Sequence, residues 1–260
     1  MRILRSMMVA ALIAAPVVAY TTPAVMAQTA DVSSNDVKIS RDVHAKLKNK
    51  RYSEVQVQVQ NGVVTLSGAV PLYNDKVNAA RSVGKVKNVQ SVVNDIQVQA
   101  GETSDQQIAD SIGRKLATDR VGYGNAFNAI TVSVQNGVAT LGGHALGPVA
   151  KDSALGIARN TPGVTNLIDK IQVDPLSPMD NGLRVRVARA IYGYPSMRKY
   201  AINPANPIRI TVINGHVTLS GVVDSEADKN VAGIQANTVP GVFSVKNDIQ
   251  VAGQPASESR

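Results

Sequence analysis

Cysteine and tryptophan are absent from this 260-residue chain, and only two Phe and seven Tyr are present. Without Cys there is no disulfide framework, no thiolate metal site, no Cys nucleophile and no lipidated Cys anchor. With so few rings, any core must be small and aliphatic. No stretch reaches the ~18 consecutive apolar residues of a membrane span. A hydrophobic content of 44% excludes a wholly disordered chain. Acidic residues are also short: 19 against 27 basic ones, a formal net charge of +8. That balance favours an anionic partner.

The N-terminal segment reads as an address. Arg2 and Arg5 precede an uncharged apolar stretch from Met7 to Tyr20, and Val25-Met26-Ala27 supplies a small-residue cleavage site. This order predicts a secretory signal peptide over 1–27, followed by an N-terminal linker over 28–35. Export would place the chain in the periplasm and argues against nucleic acid as the anionic partner.

The remainder is one unit written three times. Asn61-Gly62, Asn136-Gly137 and Asn214-Gly215 anchor the repeat, followed in step by Thr65, Thr140 and Thr218, then Leu66, Leu141 and Leu219, then Gly68, Gly143 and Gly221. Without a gap the pattern continues through Lys76, Lys151 and Lys229 and through Ala79, Ala154 and Ala232. It ends in Ile-Gln-Val at 96–98, 171–173 and 249–251. Alternating β-branched residues before each Asn-Gly predict half-buried strands, and Asn-Gly itself predicts a two-residue type I′ turn. That turn sets Val59 opposite Val64, Val57 opposite Leu66 and Gln58 opposite Thr65. Ile39, Val43 and Leu47, with Ile108, Ile112 and Leu116 and with Leu183, Val187 and Ile191, predict an amphipathic helix before each hairpin. Ser104 to Gln107 has the form of a capping box. A small-residue helix after each hairpin is predicted to end near Asn88, Gly163 or Gly241. A closing strand follows.

The fold class is therefore α+β: three tandem αββαβ units, each a three-stranded mixed sheet with two helices on one face. The units span 36–100, 104–175 and 179–252, with a polar, disordered tail over 253–260.

The run of amphipathic helix, V-x-V-x-N-G-x-V-T-L-x-G, alanine helix and V-x-N-x-I-x-V resembles the BON domain of bacterial envelope proteins, including an osmotically inducible periplasmic protein. The resemblance implies non-enzymatic envelope maintenance, phospholipid or membrane-surface binding and stress protection. Departures are Asn88 in place of the usual Gly, longer helix-to-strand connectors in units two and three, and a third copy.

Catalysis has little support in the residues. His44, His144 and His216 fall at different places in their units without metal-ligand spacing, and His216 is expected to be exposed and unpartnered. Asp169 replaces Asn94 and Asn247 before the closing strand, which points to backbone hydrogen bonding rather than acid–base work. No cofactor and no metal are expected.

The basic charge concentrates in unit three. Between Asp180 and Asp224 there is no acid, while Arg184, Arg186, Arg189, Arg198, Lys199 and Arg209 lie there. Val185, Ala188 and Tyr192 share the helix face opposite Leu183, Val187 and Ile191, flanked by Arg184 and Arg189, with Tyr194 next. Two uses fit this face. One is contact with anionic phospholipid, with Arg184, Val185, Arg186, Ala188, Arg189, Tyr192, Tyr194, Arg198 and Lys199 as the candidate site. The other is packing against unit two, whose connector carries Tyr123 and Phe127. The preferred reading is a periplasmic protein that binds the membrane surface. The alternative is a chaperone-like protein that holds envelope proteins through its sheet edges during osmotic stress.

Overall fold

Each two-residue turn fixes the register of its whole sheet. Asn61, Asn136 and Asn214 take φ of 51°, 52° and 51°, and the following glycines take 77°, 75° and 79°. Only residues tolerant of the left-handed region serve there. In unit one, α1 (Ser34–Lys46) leads to the hairpin of β1 (Val55–Gln60) and β2 (Val63–Val70), then α2 (Tyr73–Val83), β3 (Ser91–Asn94) and β4 (Gln97–Val98). Unit two comprises α3 (Asp105–Thr118), β5 (Ala129–Gln135), β6 (Val138–Leu146), α4 (Gly147–Arg159) and β7 (Asn166–Asp174). Unit three comprises α5 (Pro178–Gly193), the short α6 (Arg198–Ile202), β8 (Arg209–Ile213), β9 (His216–Val223), α7 (Glu226–Asn237) and β10 (Ser244–Val251).

The computed structural model describes residues 34–99, 101–119, 125–202 and 208–253. The leader read over 1–27, linker residues 28–33, Tyr123 and tail residues 254–260 lie outside them. Among the described residues, no helix is long and apolar enough to cross a membrane.

In every sheet the second strand is central, antiparallel to the first and parallel to the closing one. Val57 pairs with Leu66, Gln58 with Thr65 and Val59 with Val64. Both helices of a unit cover one face. In unit one Ile39 and Val43 of α1 and Ala79 and Val83 of α2 join Val64 and Leu66 in a single core. The opposite face leaves Val93 and Ile168 exposed.

Three differences from the sequence pattern have local causes. The post-hairpin helices end earlier, at Val83, Arg159 and Asn237, and Asn88, Gly163 and Gly241 supply positive φ in the turn that enters the closing strand. The closing strand of unit one is broken into β3 and β4 at Asp95-Ile96, where Asp95 N–H still reaches Leu66 O. Helical structure also begins slightly earlier than the unit limits, at Ser34 and Pro178.

The glycine seven positions after each turn Asn has a steric reason. A Cβ at Gly143 (φ 83°) would sit 2.0 Å from the Ala129 carbonyl oxygen, and one at Gly68 2.0 Å from that of Glu54. Gly143→Ala is expected to destabilise the protein by about 1–3 kcal/mol. Thermal unfolding followed by circular dichroism measures this, and an unchanged midpoint would show that the strand relaxes freely.

The units share cores as well as chain. Tyr73 of unit one packs on the core of unit two. Phe127 and Leu146, both from unit two, are buried in the core of unit three.

Candidate functional site

Each unit ends in a tip built from three segments: the start of its first helix, the hairpin turn and the loop before the closing strand. An aspartate in the first turn of the helix holds the tip together. Asp36 accepts the N–H groups of Asn61 and Gly62, both at 2.9 Å. Asp105 accepts those of Asn136 and Gly137 at 2.7 and 2.8 Å, and Asp180 those of Asn214 and Gly215 at 3.0 and 2.9 Å. The turn glycine then accepts from the third segment: Gln90 N to Gly62 O, Thr165 N to Gly137 O, Phe243 N to Gly215 O. These aspartates do not emerge from an alignment anchored on Asn-Gly, because connectors of different length intervene. Alignment on the first helices reveals them, three residues before Ile39, Ile108 and Leu183.

The third tip differs chemically from the other two. Where units one and two place Asn35 and Gln90, or Ser104 and Thr165, unit three places Met179 and Phe243. Met179 is 84% exposed and Phe243 76%. They line a cavity of about 560 Å³ with Leu183, Arg186 and Gly241. Arg186, at the position of Asp42 and Ser111, is exposed and leans toward the Pro240 carbonyl at 3.5 Å. His216 is not unpartnered: its ring meets Phe243 edge-on at 5.9 Å, and Nδ1 lies 2.8 Å from Ser244 Oγ.

The candidate surface residues of α5 divide into two groups. Arg186, Arg189, Tyr194 and Arg198 are exposed. Arg184 is not a surface cation; it is 1% exposed. Its Nη1 donates to Asn181 Oδ1 at 2.6 Å, its Nη2 donates to the Val212 carbonyl, and Asp174 lies 3.9 Å away. Asp174 is itself buried and sits 2.8 Å from His144 Nδ1, so the cluster joins unit two to unit three. Val185, Ala188 and Tyr192 are half-buried against the core of unit three. The Tyr192 hydroxyl donates to Ile208 O at 2.5 Å, and burial holds its phenol well above the usual range. Lys199 is exposed but committed to Asp224 at 2.7 Å and Asp228 at 3.0 Å, which hold its ammonium above its ordinary pKa. Arg51 makes the matching contact with Asp75 in unit one, at 2.9 Å, so this pairing belongs to the scaffold.

Asn94 and Asn247 donate to the carbonyls of Lys76 and Lys229 on the neighbouring helix, at 3.0 and 2.8 Å. Asp169 in the same place pairs with Lys151 at 2.8 Å and accepts from Ile171 N–H. These are strand-to-helix braces. Among the described residues, no three His, Cys, Asp or Glu side chains are grouped to hold a metal.

The family pattern of the BON domain matches residues 35–100, 104–175 and 196–253. The chain belongs to the BON domain family. The third match starts beyond α5, yet Leu183, Val187 and Ile191 of α5 are buried in the unit-three core as Ile39 and Val43 are in unit one. Osmotically-inducible protein Y of Escherichia coli strain K12 is 31% identical over 122 residues, covering 46% of this chain and 61% of that protein. The chain thus spans about three fifths of that relative. Two solved chains of CdsD, a structural protein of the Type III secretion system of Chlamydia trachomatis, are each 16% identical. They cover 85% and 84% of this chain and 94% and 98% of their own, both with a TM-score of 0.23, too low to bear on the fold. What distinguishes the three BON units from one another is therefore read from this chain itself.

Proposed function

We propose that this BON-domain protein is exported to the periplasm, has no catalytic role, and holds to the anionic surface of a membrane through the tip of its third unit. In that role it supports the envelope under osmotic stress. The observation that carries the reading is the apolar tip: Met179 and Phe243 stand in water where the other tips are polar, with Arg186 beside them. Exposed apolar side chains rimmed by Arg fit the boundary between acyl chains and anionic headgroups. Arg189 and Arg198 add unburied charge nearby in sequence. Export rests on the leader-like residues 1–27. The stress role rests on the likeness to an osmotically inducible protein.

Co-sedimentation with neutral and anionic vesicles tests the proposal. Binding is expected only to anionic vesicles and is expected to weaken with salt. Replacing Arg186 and Arg189 together by Gln should cost about 1 kcal/mol for each residue at the surface. Phe243→Ser with Met179→Ser should weaken binding while leaving its salt dependence in place, because the loss is of apolar insertion. Equal binding of wild type and both variants would remove this tip as the membrane contact and favour protein clients instead.

A further inference from the structure

The open edge of the unit-two sheet is equipped to take up another chain. Among the described residues strand β5 pairs with β6 alone, and its other side faces α3 across a groove of about 820 Å³. Arg209 Nη1 donates to the Ile130 carbonyl from that open side, at 3.0 Å. Antiparallel pairing turns alternate residues the same way, so Val132 and Val134 also present their N–H and C=O groups to the groove. The helix wall is formed by Gln106, Ala109, Asp110 and Gly113, one face of α3, and a Cβ on Gly113 would meet nothing within 4 Å. An exposed strand edge beside a helix with small side chains is the setting in which a peptide adds as a further strand.

The other units put a larger side chain at one or more positions of this wall. In unit three the position of Ala109 is Arg184, whose guanidinium lies across the groove and donates to Val212 O, the counterpart of Val134 O. In unit one the wall carries Val37, Ser40, Arg41 and His44 in place of Gln106, Ala109, Asp110 and Gly113.

The charges identify the guest. Arg209 lines the end of the groove at Ile130; among the described residues its buried Nε has no hydrogen-bond partner and no acid offsets the burial that lowers its pKa. At the opposite end Asp105 is engaged by the turn amides, and along the wall Asp110 accepts from Gln106 at 2.8 Å. A strand added antiparallel to β5 would run from the Asp105 end toward Arg209, about 13 Å over the four steps from Val134 to Ile130. We propose that the groove between α3 and β5 binds an extended peptide by strand addition, with the peptide's C-terminal carboxylate on Arg209 and basic side chains favoured toward its N-terminal end. This does not use the membrane-facing tip and stands or falls apart from it.

Fluorescence anisotropy on the full chain tests the proposal, with a labelled heptapeptide of alternating Val and Thr carrying one Lys near its N-terminus. The free-acid peptide is expected to bind at least tenfold more tightly than its C-terminal amide. Arg209→Gln, which keeps a donor for Ile130 O, should erase that preference. Gly113→Leu, which fills the groove from an open helix position, should abolish binding of both peptides without lowering the melting temperature. Equal binding of acid and amide, or binding indifferent to Gly113→Leu, would overturn the proposal. So would a concentration-dependent dimer dissociated by Gly113→Leu with no peptide binding, since the edge would then serve pairing between copies of this chain.

Discussion

Arg184→Ala is expected to cost about 3–5 kcal/mol of stability, the range for removing one partner of a buried ion pair. The guanidinium is 1% exposed, and burial lowers its pKa although Asp174 and Asp180 favour the charged form. Its loss would leave three groups without their partner at once: the Val212 carbonyl, Asn181 Oδ1 and the buried carboxylate of Asp174. Part of the cost comes from Asp174, which among the described residues would keep His144 alone beside it in the interior. Arg184→Met with Asp174→Asn should therefore recover much of the loss, because an apolar side chain of similar length refills the space and no charge is stranded. Urea unfolding of the single and double variants measures both effects. A single variant within ~0.5 kcal/mol of wild type would show that water reaches this cluster.

The second large effect is expected at the tip aspartates. Asp180→Ala removes two charge-assisted hydrogen bonds and leaves the Asn214 and Gly215 amides facing a void, for a loss of about 2–4 kcal/mol. Asp180→Asn keeps one acceptor oxygen but turns an amide donor toward the other N–H, so it should fall between the two. Asp36, equally buried, should behave like Asp180, and the more accessible Asp105 should cost less because water can replace it. Thermal unfolding of the three alanine variants gives the ranking. A larger loss at Asp105 than at Asp180 would contradict it.

These two sites mark where reading by residue pattern succeeds and where it stops. The hairpins were legible because Asn-Gly acts over two residues and the alternation of Val55, Val57 and Val59 points one way only. The first helices were legible because Ile39, Val43 and their counterparts repeat at helical spacing. The tip clamp was hidden by connectors of different length, which move Asp36, Asp105 and Asp180 to different distances from their turns. Arg184 was misplaced for another reason. It was read as flanking an outer face of Val185, Ala188 and Tyr192, but what lies against its guanidinium is the backbone of β8. A carbonyl such as that of Val212 has no signature in the sequence. Its acidic partner Asp174 sits at the very end of the second unit, just before Pro175, with no repeat position to mark it. The groove of unit two was obscured by the same gap: Ala109 and Gly113 look unremarkable until the strand edge they leave open is known.

Phe127 and Leu146, which belong to the second unit but lie in the core of the third, limit how this gene could shrink. A deletion that removed the last copy cleanly at the linker would strip the cover from both side chains and strand Asp174 without Arg184. Two copies and three copies are therefore not interchangeable lengths of the same design. Loss of the third would have to be accompanied by substitutions at 127, 146 and 174 before the shortened product could fold without sticking to its neighbours.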